Sequence, residues 1–99
     1  MRMTPESKLK KDLKHLLTDY GAYWCMIPGG TYAKPGDPDI IACYKGMFIA
    51  IEAKTYEGSQ SDWQKLREKQ IRDAGGVYLL IKSVDQLTSF LNALDVCES

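Results

Sequence analysis

The chain has 99 residues, of which 44% are hydrophobic and 26% charged, with 13 basic and 13 acidic side chains. This size and composition exclude a disordered segment and predict one globular domain spanning residues 1–99. The chain has no apolar run long enough for a transmembrane helix and no signal-peptide-like N-terminus, so we expect a cytoplasmic protein. The net charge of zero counts mildly against a general nucleic-acid binder.

The cysteines and the lysines refine this first picture. Three cysteines without a CxxC spacing are typical of free thiols in a reducing compartment and make a zinc site unattractive. The basic residues are unevenly spread, because they crowd residues 8–14 and 65–72. Such local patches can bind phosphate groups even on a chain of zero net charge.

A helix is predicted at the N-terminus. Thr4 suits the N-cap and Pro5 the first helical position, and leucines follow at helical spacing. Glu6 lies in the first turn, where the helix dipole favours a carboxylate, and spacing alone indicates no further role for it. His15, the single histidine, is given no role.

A first strand is predicted over residues 22–28, which are apolar and aromatic. Residues 29–36 then form a loop by their glycine and proline content. Tyr32 and Lys34 in this loop could reach a substrate, or the loop could be a simple connector.

The central pattern is a β-hairpin between Asp39 and Glu52. Two apolar runs flank the pair Lys45-Gly46, which suits a two-residue turn with glycine at a positive-φ position. Counting outward from this turn places Asp39 opposite Glu52, with side chains about 5 Å apart at their Cβ atoms. The alternation of a strand then places Lys54 on the same face as Glu52.

Two opposed carboxylates repel each other unless a cation lies between them, so this pair predicts a site for a hard divalent ion. The backbone carbonyl of Ala53 could add a ligand, and Lys54 could position or deprotonate a water or contact a phosphate. The alternative is an aspartate at a strand start and a surface Glu–Lys pair. A register error of one residue would separate the two carboxylates.

The rest of the chain predicts a helix, a strand and a last helix. Ser61-x-x-Gln64 matches a capping box at a helix start, and the predicted buried side of that helix comprises Trp63, Leu66, Ile71 and Ala74. Gln64 is therefore either a capping residue or an amide close to the metal. Residues 77–81 are predicted to form an apolar strand. Ser83 to Gln86 repeat the capping-box pattern before a last amphipathic helix, whose predicted inward residues are Val84, Leu87, Phe90, Leu91 and Leu94. The predicted order is αβββαβα.

These motifs together resemble the PD-(D/E)XK nuclease superfamily, and most closely its VRR-NUC branch. The similarity spans Glu6 to Ile81 and includes Gly36-Asp37-Pro38-Asp39-Ile40, Ile51-Glu52-Ala53-Lys54, and Ser61-x-x-Gln64 followed by Ala74-Gly75-Gly76. The resemblance implies an α/β fold with a restriction-endonuclease-like αβββαβ core, in which helices flank a mixed sheet, plus a C-terminal helix.

The resemblance also implies roles for single residues. Asp39, Glu52 and the Ala53 carbonyl would bind Mg²⁺ or Mn²⁺, with Glu6 as a direct or water-mediated ligand. Lys54 would position or activate the attacking water, and Gln64 would lie beside the site. The candidate DNA contacts are Lys8, Lys11, Tyr32, Lys34 and Lys65.

The activity implied by the resemblance is that of a metal-dependent DNA endonuclease that cuts four-way junctions as a homodimer. One alternative is a restriction-like or nicking nuclease on duplex or flap DNA. Another is a non-catalytic DNA-binding module with the same fold, which would be expected to lose one of Asp39, Glu52 or Lys54. The short chain leaves little room for sequence-reading elements and favours recognition of DNA shape and backbone.

Overall fold

A computed structural model of the chain describes residues 4–28, 35–55 and 60–97. The elements in these ranges are α1 (Pro5–Asp19), β1 (Tyr23–Met26), β2 (Ile40–Tyr44), β3 (Met47–Ala53), α2 (Asp62–Asp73), β4 (Val77–Ile81) and α3 (Val84–Cys97). This order confirms the predicted αβββαβα arrangement. None of the helices within these ranges is long and apolar enough to cross a membrane.

The four strands form one mixed sheet in the order β1-β2-β3-β4. Strands β1, β2 and β3 are antiparallel neighbours, and β4 runs parallel to β3 with Glu52 opposite Leu80 and Ala53 opposite Ile81. A parallel neighbour requires a crossover connection, which α2 supplies between β3 and β4. The carboxyl ends of β3 and β4 therefore meet at one edge, where α2 begins.

The β2–β3 hairpin has the predicted turn. Tyr44 pairs with Met47, and both Lys45 (φ 52°) and Gly46 (φ 80°) adopt the positive φ that a tight two-residue turn requires. The predicted register continues as far as Ile40 opposite Ile51.

The register changes at Asp39, where the prediction needs a correction. The Asp39 N–H donates to the Ile51 carbonyl at 3.0 Å, so both Asp39 and Ile40 lie opposite Ile51. This two-against-one arrangement is that of a β-bulge, which redirects a side chain. Asp39 is therefore not paired directly with Glu52 in the ladder, although it remains next to β3.

The core lies between one face of the sheet and helices α1 and α3. Leu13 and Leu17 of α1 and Leu87 and Leu91 of α3 are fully buried against strand residues of that face, which are Ile40, Ala42, Ile49, Ile51 and Ile81. The Thr4 hydroxyl accepts a hydrogen bond from the Ser7 N–H and caps α1 as predicted. The first helix is thereby fixed against the strands that carry the site.

Helix α2 is not buried as predicted. Trp63 and Leu66 are 53% and 41% exposed, Ala74 is exposed, and Ile71 is half-buried. The helix has no fully buried residue, because it touches the sheet mainly beside β4 and leaves its apolar side chains partly open to solvent. The apolar spacing indicated a helix correctly but not how much of the sheet it would cover.

The start of α3 also differs from the prediction. The Gln86 side chain accepts a hydrogen bond from the Lys82 N–H at 2.6 Å, which lies one residue before the predicted partner Ser83. The inward side of the helix is as expected, with Leu87 and Leu91 buried and Val84, Phe90 and Leu94 packed against the core.

Candidate active site

The approach to Asp39 is fixed by backbone contacts. Gly36 has φ +80°, and a Cβ on it would lie 2.4 Å from the Trp63 carbonyl carbon, so the loop backbone packs directly on the start of α2. Arg67 of α2 donates to the Pro35 carbonyl at 3.2 Å and lies 3.5 Å from an Asp37 carboxylate oxygen. These contacts fix the chain two residues before Asp39.

The Asp39 carboxylate connects three parts of the molecule. One oxygen (Oδ2) accepts a hydrogen bond from the Ala53 N–H at 2.9 Å. The other oxygen (Oδ1) lies 3.3 Å from the ammonium group of Lys10 in α1. Asp39 therefore lies where the sheet edge meets the first helix, with one oxygen bound to the Ala53 N–H and the other facing the Lys10 ammonium group.

Glu52 is the buried acid of the site, with 5% of its surface exposed. Its Oε1 atom accepts a hydrogen bond from the Gln64 amide at 2.9 Å, whereas Oε2 is buried without a hydrogen-bond partner among the described residues. Desolvation, and secondly the charge of Asp39, raise the pKa of Glu52 to about 7, against the opposing charges of Lys54 and Lys10. A buried carboxylate oxygen without a partner is costly unless a cation or a proton satisfies it.

Gln64 combines the two roles that the sequence left open. Its side-chain carbonyl accepts from the Ser61 N–H at 2.9 Å, and the Ser61 hydroxyl accepts from the Gln64 N–H at 3.2 Å, which is the predicted capping box. Its amide nitrogen is then directed to Glu52. The cap fixes the amide orientation, so one residue both begins α2 and holds the buried carboxylate.

Lys54 and Glu6 complete the set of charges around Glu52. The Lys54 charge lowers the Glu52 pKa and the Glu6 charge raises it. The Lys54 N–H donates to the Ile81 carbonyl at 2.9 Å and extends the pairing of β3 with β4 beyond Ala53. Both side chains are half-buried and near the buried acid.

The oxygen atoms at this site are of the kind that a hard divalent ion binds. The unpartnered Oε2 of Glu52 is a buried oxygen ligand next to a second carboxylate, and the Ala53 carbonyl belongs to the same strand end. Across residues 4–28, 35–55 and 60–97, no three His, Cys, Asp or Glu side chains lie close enough to surround an ion. An ion here would therefore take two carboxylates and complete its shell with a backbone carbonyl and water.

The predicted DNA contacts lie in different places. Lys8 forms an exposed ion pair with Asp12 at 3.0 Å, Lys11 lines a groove beside α1, and Lys65 is exposed on α2 next to Gln64. Tyr32 and Lys34 lie outside the described residues. The structure thus brings Asp39, Glu52, Ala53 and Gln64 into one cluster and leaves Lys8 and Lys65 on the surface.

Two residues near the site, Lys10 and Tyr78, are not among the predicted site residues. Lys10, which contacts Asp39, lies four residues after Glu6, so helical spacing alone could have placed both on one face of α1. Tyr78 is 2% exposed, and burial raises its pKa to about 12, against a smaller opposing effect of the Gln60 side chain. It lies in the apolar strand β4, and no sequence signal separated it from ordinary core.

Comparison with known proteins supports the fold. No family model and no curated protein sequence matches the chain. A solved VRR_NUC domain has a TM-score of 0.72, with 22% identity over 91% of this chain and 97% of its own. Hjc of Archaeoglobus fulgidus, a Holliday junction resolvase from an archaeal hyperthermophile, has a TM-score of 0.56, with 21% identity over 72% of this chain and 62% of its own.

The chain therefore has the fold of the solved VRR_NUC domain, and the fold implied by the sequence motifs is confirmed. The chain shares the fold with Hjc over a smaller part of both proteins. Identity of 21–22% shows a common fold, and the activity must be argued from the site.

Proposed function

We propose that this protein is a divalent-metal-dependent DNA endonuclease that cuts branched DNA, with four-way junctions as its preferred substrate. The observation that carries the proposal is the buried Glu52 carboxylate, which has one oxygen without a partner and lies beside Asp39. A carboxylate with a purely structural role would be expected to pair both oxygens or to lie at the surface. A metal-binding carboxylate instead needs a buried oxygen that is left open for the ion.

The residues that would hold Mg²⁺ or Mn²⁺ are Asp39, Glu52 and the Ala53 carbonyl, with Glu6 acting through water. When bound, the ion would supply Lewis-acid stabilisation of the scissile phosphate and a more acidic water. Gln64 would hold Glu52 in one orientation through its 2.9 Å hydrogen bond. The site would then be pre-organised by α2 before substrate arrives.

Two lysines would act on the substrate itself. The Lys54 ammonium, close enough to Glu52 to lower its pKa, would position the attacking water and stabilise charge that develops on the phosphate. Lys10 would neutralise Asp39 in the absence of substrate and contact a phosphate oxygen in the complex, since its ammonium lies 3.3 Å from Asp39 Oδ1. Both roles use cations that already lie next to the acidic pair.

The preference for four-way junctions and the homodimer belong to the same proposal. They are supported by the shared fold with a Holliday junction resolvase and by the symmetry of the task, because a two-fold dimer presents two equivalent sites to opposed strands. Tyr23 and Phe48 on the sheet are 74% and 44% exposed, and such exposed apolar side chains could form part of a subunit interface. The alternatives are a restriction-like or nicking nuclease on duplex or flap DNA, and a non-catalytic binding module.

A side-by-side cleavage assay tests the proposal. A labelled four-way junction, a flap and a linear duplex are offered with Mg²⁺ or Mn²⁺, and light scattering gives the mass in solution. The proposal predicts paired, symmetric nicks in the junction from a dimer. Cutting of the duplex at the same rate as the junction would contradict junction selectivity and favour a restriction-like or nicking nuclease. Binding of the junction without cutting of any substrate would favour the non-catalytic DNA-binding module.

A further inference from the structure

A groove runs along α1 on the side that faces β1, directly beside the candidate active site. It has a volume of about 760 Å³, and its α1 wall carries Lys10, Lys11, Lys14 and His15, with Trp24 of β1 opposite. These α1 positions recur at helical spacing, so they share one face of the helix. The groove is thus basic along one wall and aromatic on the other.

The charges in this groove are not all neutralised by the protein. Lys10 is paired with Asp39, but among the described residues Lys11 and Lys14 have no carboxylate partner. About 6 Å of helix axis separates Lys10 from Lys14, a span of about two nucleotides along one strand of B-DNA. The spacing of these lysines therefore matches that of successive phosphates along one nucleic-acid strand.

The Lys14 ammonium is held towards the groove by Trp24. It lies 5.8 Å from the centre of the indole ring, and the indole N–H donates to the Thr18 hydroxyl at 2.9 Å, which fixes the ring against α1. A cation over a fixed aromatic face keeps its charge and its free N–H groups. The same wall can therefore contact a phosphate without first breaking an ion pair.

Lys10 connects this groove with the acidic pair, because it lines the groove and also contacts Asp39. We propose that the α1–β1 groove binds the sugar–phosphate backbone of one DNA strand and leads it to the Asp39–Glu52 site, with Lys11, Lys14 and His15 as phosphate contacts. This inference rests on the proposed nuclease function. It assigns His15 and Lys14 to DNA binding, and it separates Lys11 from Lys8, whose charge is paired with Asp12.

The salt dependence of binding tests the groove. Affinity for a fluorescent four-way junction is measured against salt concentration, with EDTA present so that no metal-dependent cutting occurs. Each lost phosphate contact lowers the magnitude of the slope of log K against log salt by about 0.9 on duplex and about 0.7 on single strands. Lys11→Ala and Lys14→Ala should each show this decrease and bind about fivefold more weakly at about 0.15 M salt.

Two controls make the test specific. Lys69→Ala removes a lysine from the exposed face of α2, where it pairs with Asp73 at 2.6 Å, and should leave both affinity and slope unchanged. Lys14→Arg keeps the charge and should retain the wild-type slope. A single strand and a duplex as additional ligands show which form the groove accepts, because their slope changes differ.

The outcomes separate this inference from the proposed function. If both Lys11→Ala and Lys14→Ala keep the wild-type slope of log K against log salt, the groove does not bind DNA, even if the wild-type protein cuts junctions in Mg²⁺. An equal loss in Lys69→Ala would also overturn it, because binding would then follow overall charge. Reduced slopes in the groove variants would support the groove, even if the Asp39–Glu52 site proved inactive.

Discussion

Replacing Glu52 by glutamine should make the metal-free protein more stable at neutral and alkaline pH. Burial and the charge of Asp39 raise the pKa of Glu52 from its ordinary value of 4.5 to about 7. A difference of this size corresponds to about 3 kcal/mol between the protonated and the ionised forms. Because a glutamine side chain keeps an acceptor for the Gln64 amide and carries no charge, we expect about 1–3 kcal/mol of stabilisation above pH 7.

The direction in which Glu52 changes stability with pH follows from proton binding in the folded and unfolded states. Between pH 4.5 and about 7 the folded protein holds a proton on Glu52 that the unfolded chain has released. Relative to alkaline pH, Glu52 therefore stabilises the folded protein fully below pH 4.5, and this stabilisation is lost as the pH rises through about 7. Glu52→Gln and wild type should have nearly equal stability at the acidic end and diverge towards the alkaline end.

The assay is urea unfolding of both proteins in EDTA across this pH range, followed by circular dichroism. Glu68→Gln is a control of opposite sign, because hydrogen bonds from Gln60 and Arg72 lower the pKa of Glu68. That variant should lose stability at neutral pH, and the loss should fade as the pH falls through the Glu68 pKa. A Glu52→Gln protein no more stable than wild type at about pH 8, or a difference independent of pH, would refute the reasoning.

Three further substitutions test other parts of the site. Lys54→Ala should fold normally and lose cleavage in the junction assay, and a variant that still cuts at the wild-type rate would remove Lys54 from the mechanism. Gln64→Ala keeps the Ser61 cap but removes the side-chain half of the capping box and the amide that holds Glu52, so it should cost about 1–3 kcal/mol in urea unfolding and also slow cleavage; unchanged stability would contradict a stabilising role for these two side-chain hydrogen bonds. Gly36→Ala combines a positive φ with a Cβ 2.4 Å from the Trp63 backbone and should destabilise by more than about 2 kcal/mol; a neutral effect would show that the loop relaxes freely.

The hairpin and the first helix could be predicted because local chemistry determines them. Lys45-Gly46 between two apolar runs specifies a two-residue turn, and the turn specifies the register from Tyr44 down to Ile40. Thr4 and Pro5 likewise specify where α1 begins. In each case the relevant contacts lie within a few residues along the chain.

The details of the site depended on contacts between distant residues. The bulge at Asp39 is seen in the hydrogen bond from its N–H to the Ile51 carbonyl, and a period-2 count along the strand cannot predict it. The Lys10–Asp39 ion pair joins α1 to the start of β2, and nothing local to either residue indicates it. The exposure of Trp63 and Leu66 depends on where α2 crosses the sheet, which an apolar pattern does not specify.

The same distinction explains Gln64. The capping box alone was enough to explain a glutamine at this position. Only the folded structure shows that the amide nitrogen of Gln64 also donates to Glu52. Spacing could therefore nominate the acidic pair and its lysine. The buried, unsatisfied oxygen of Glu52 could be recognised only from the folded structure, where 5% of this residue is exposed.

Single-turnover cleavage of a labelled four-way junction by wild type and Asp39→Asn tests the central claim most directly. Asparagine keeps an acceptor for the Ala53 N–H, so the variant should fold and should still bind the junction. We predict that wild type cuts in Mg²⁺ or Mn²⁺ and that the variant cuts at least about a hundredfold more slowly, as expected when a key electrostatic contact is removed. Cleavage by Asp39→Asn at the wild-type rate would contradict the assignment of the Asp39–Glu52 pair as a metal-binding nuclease site.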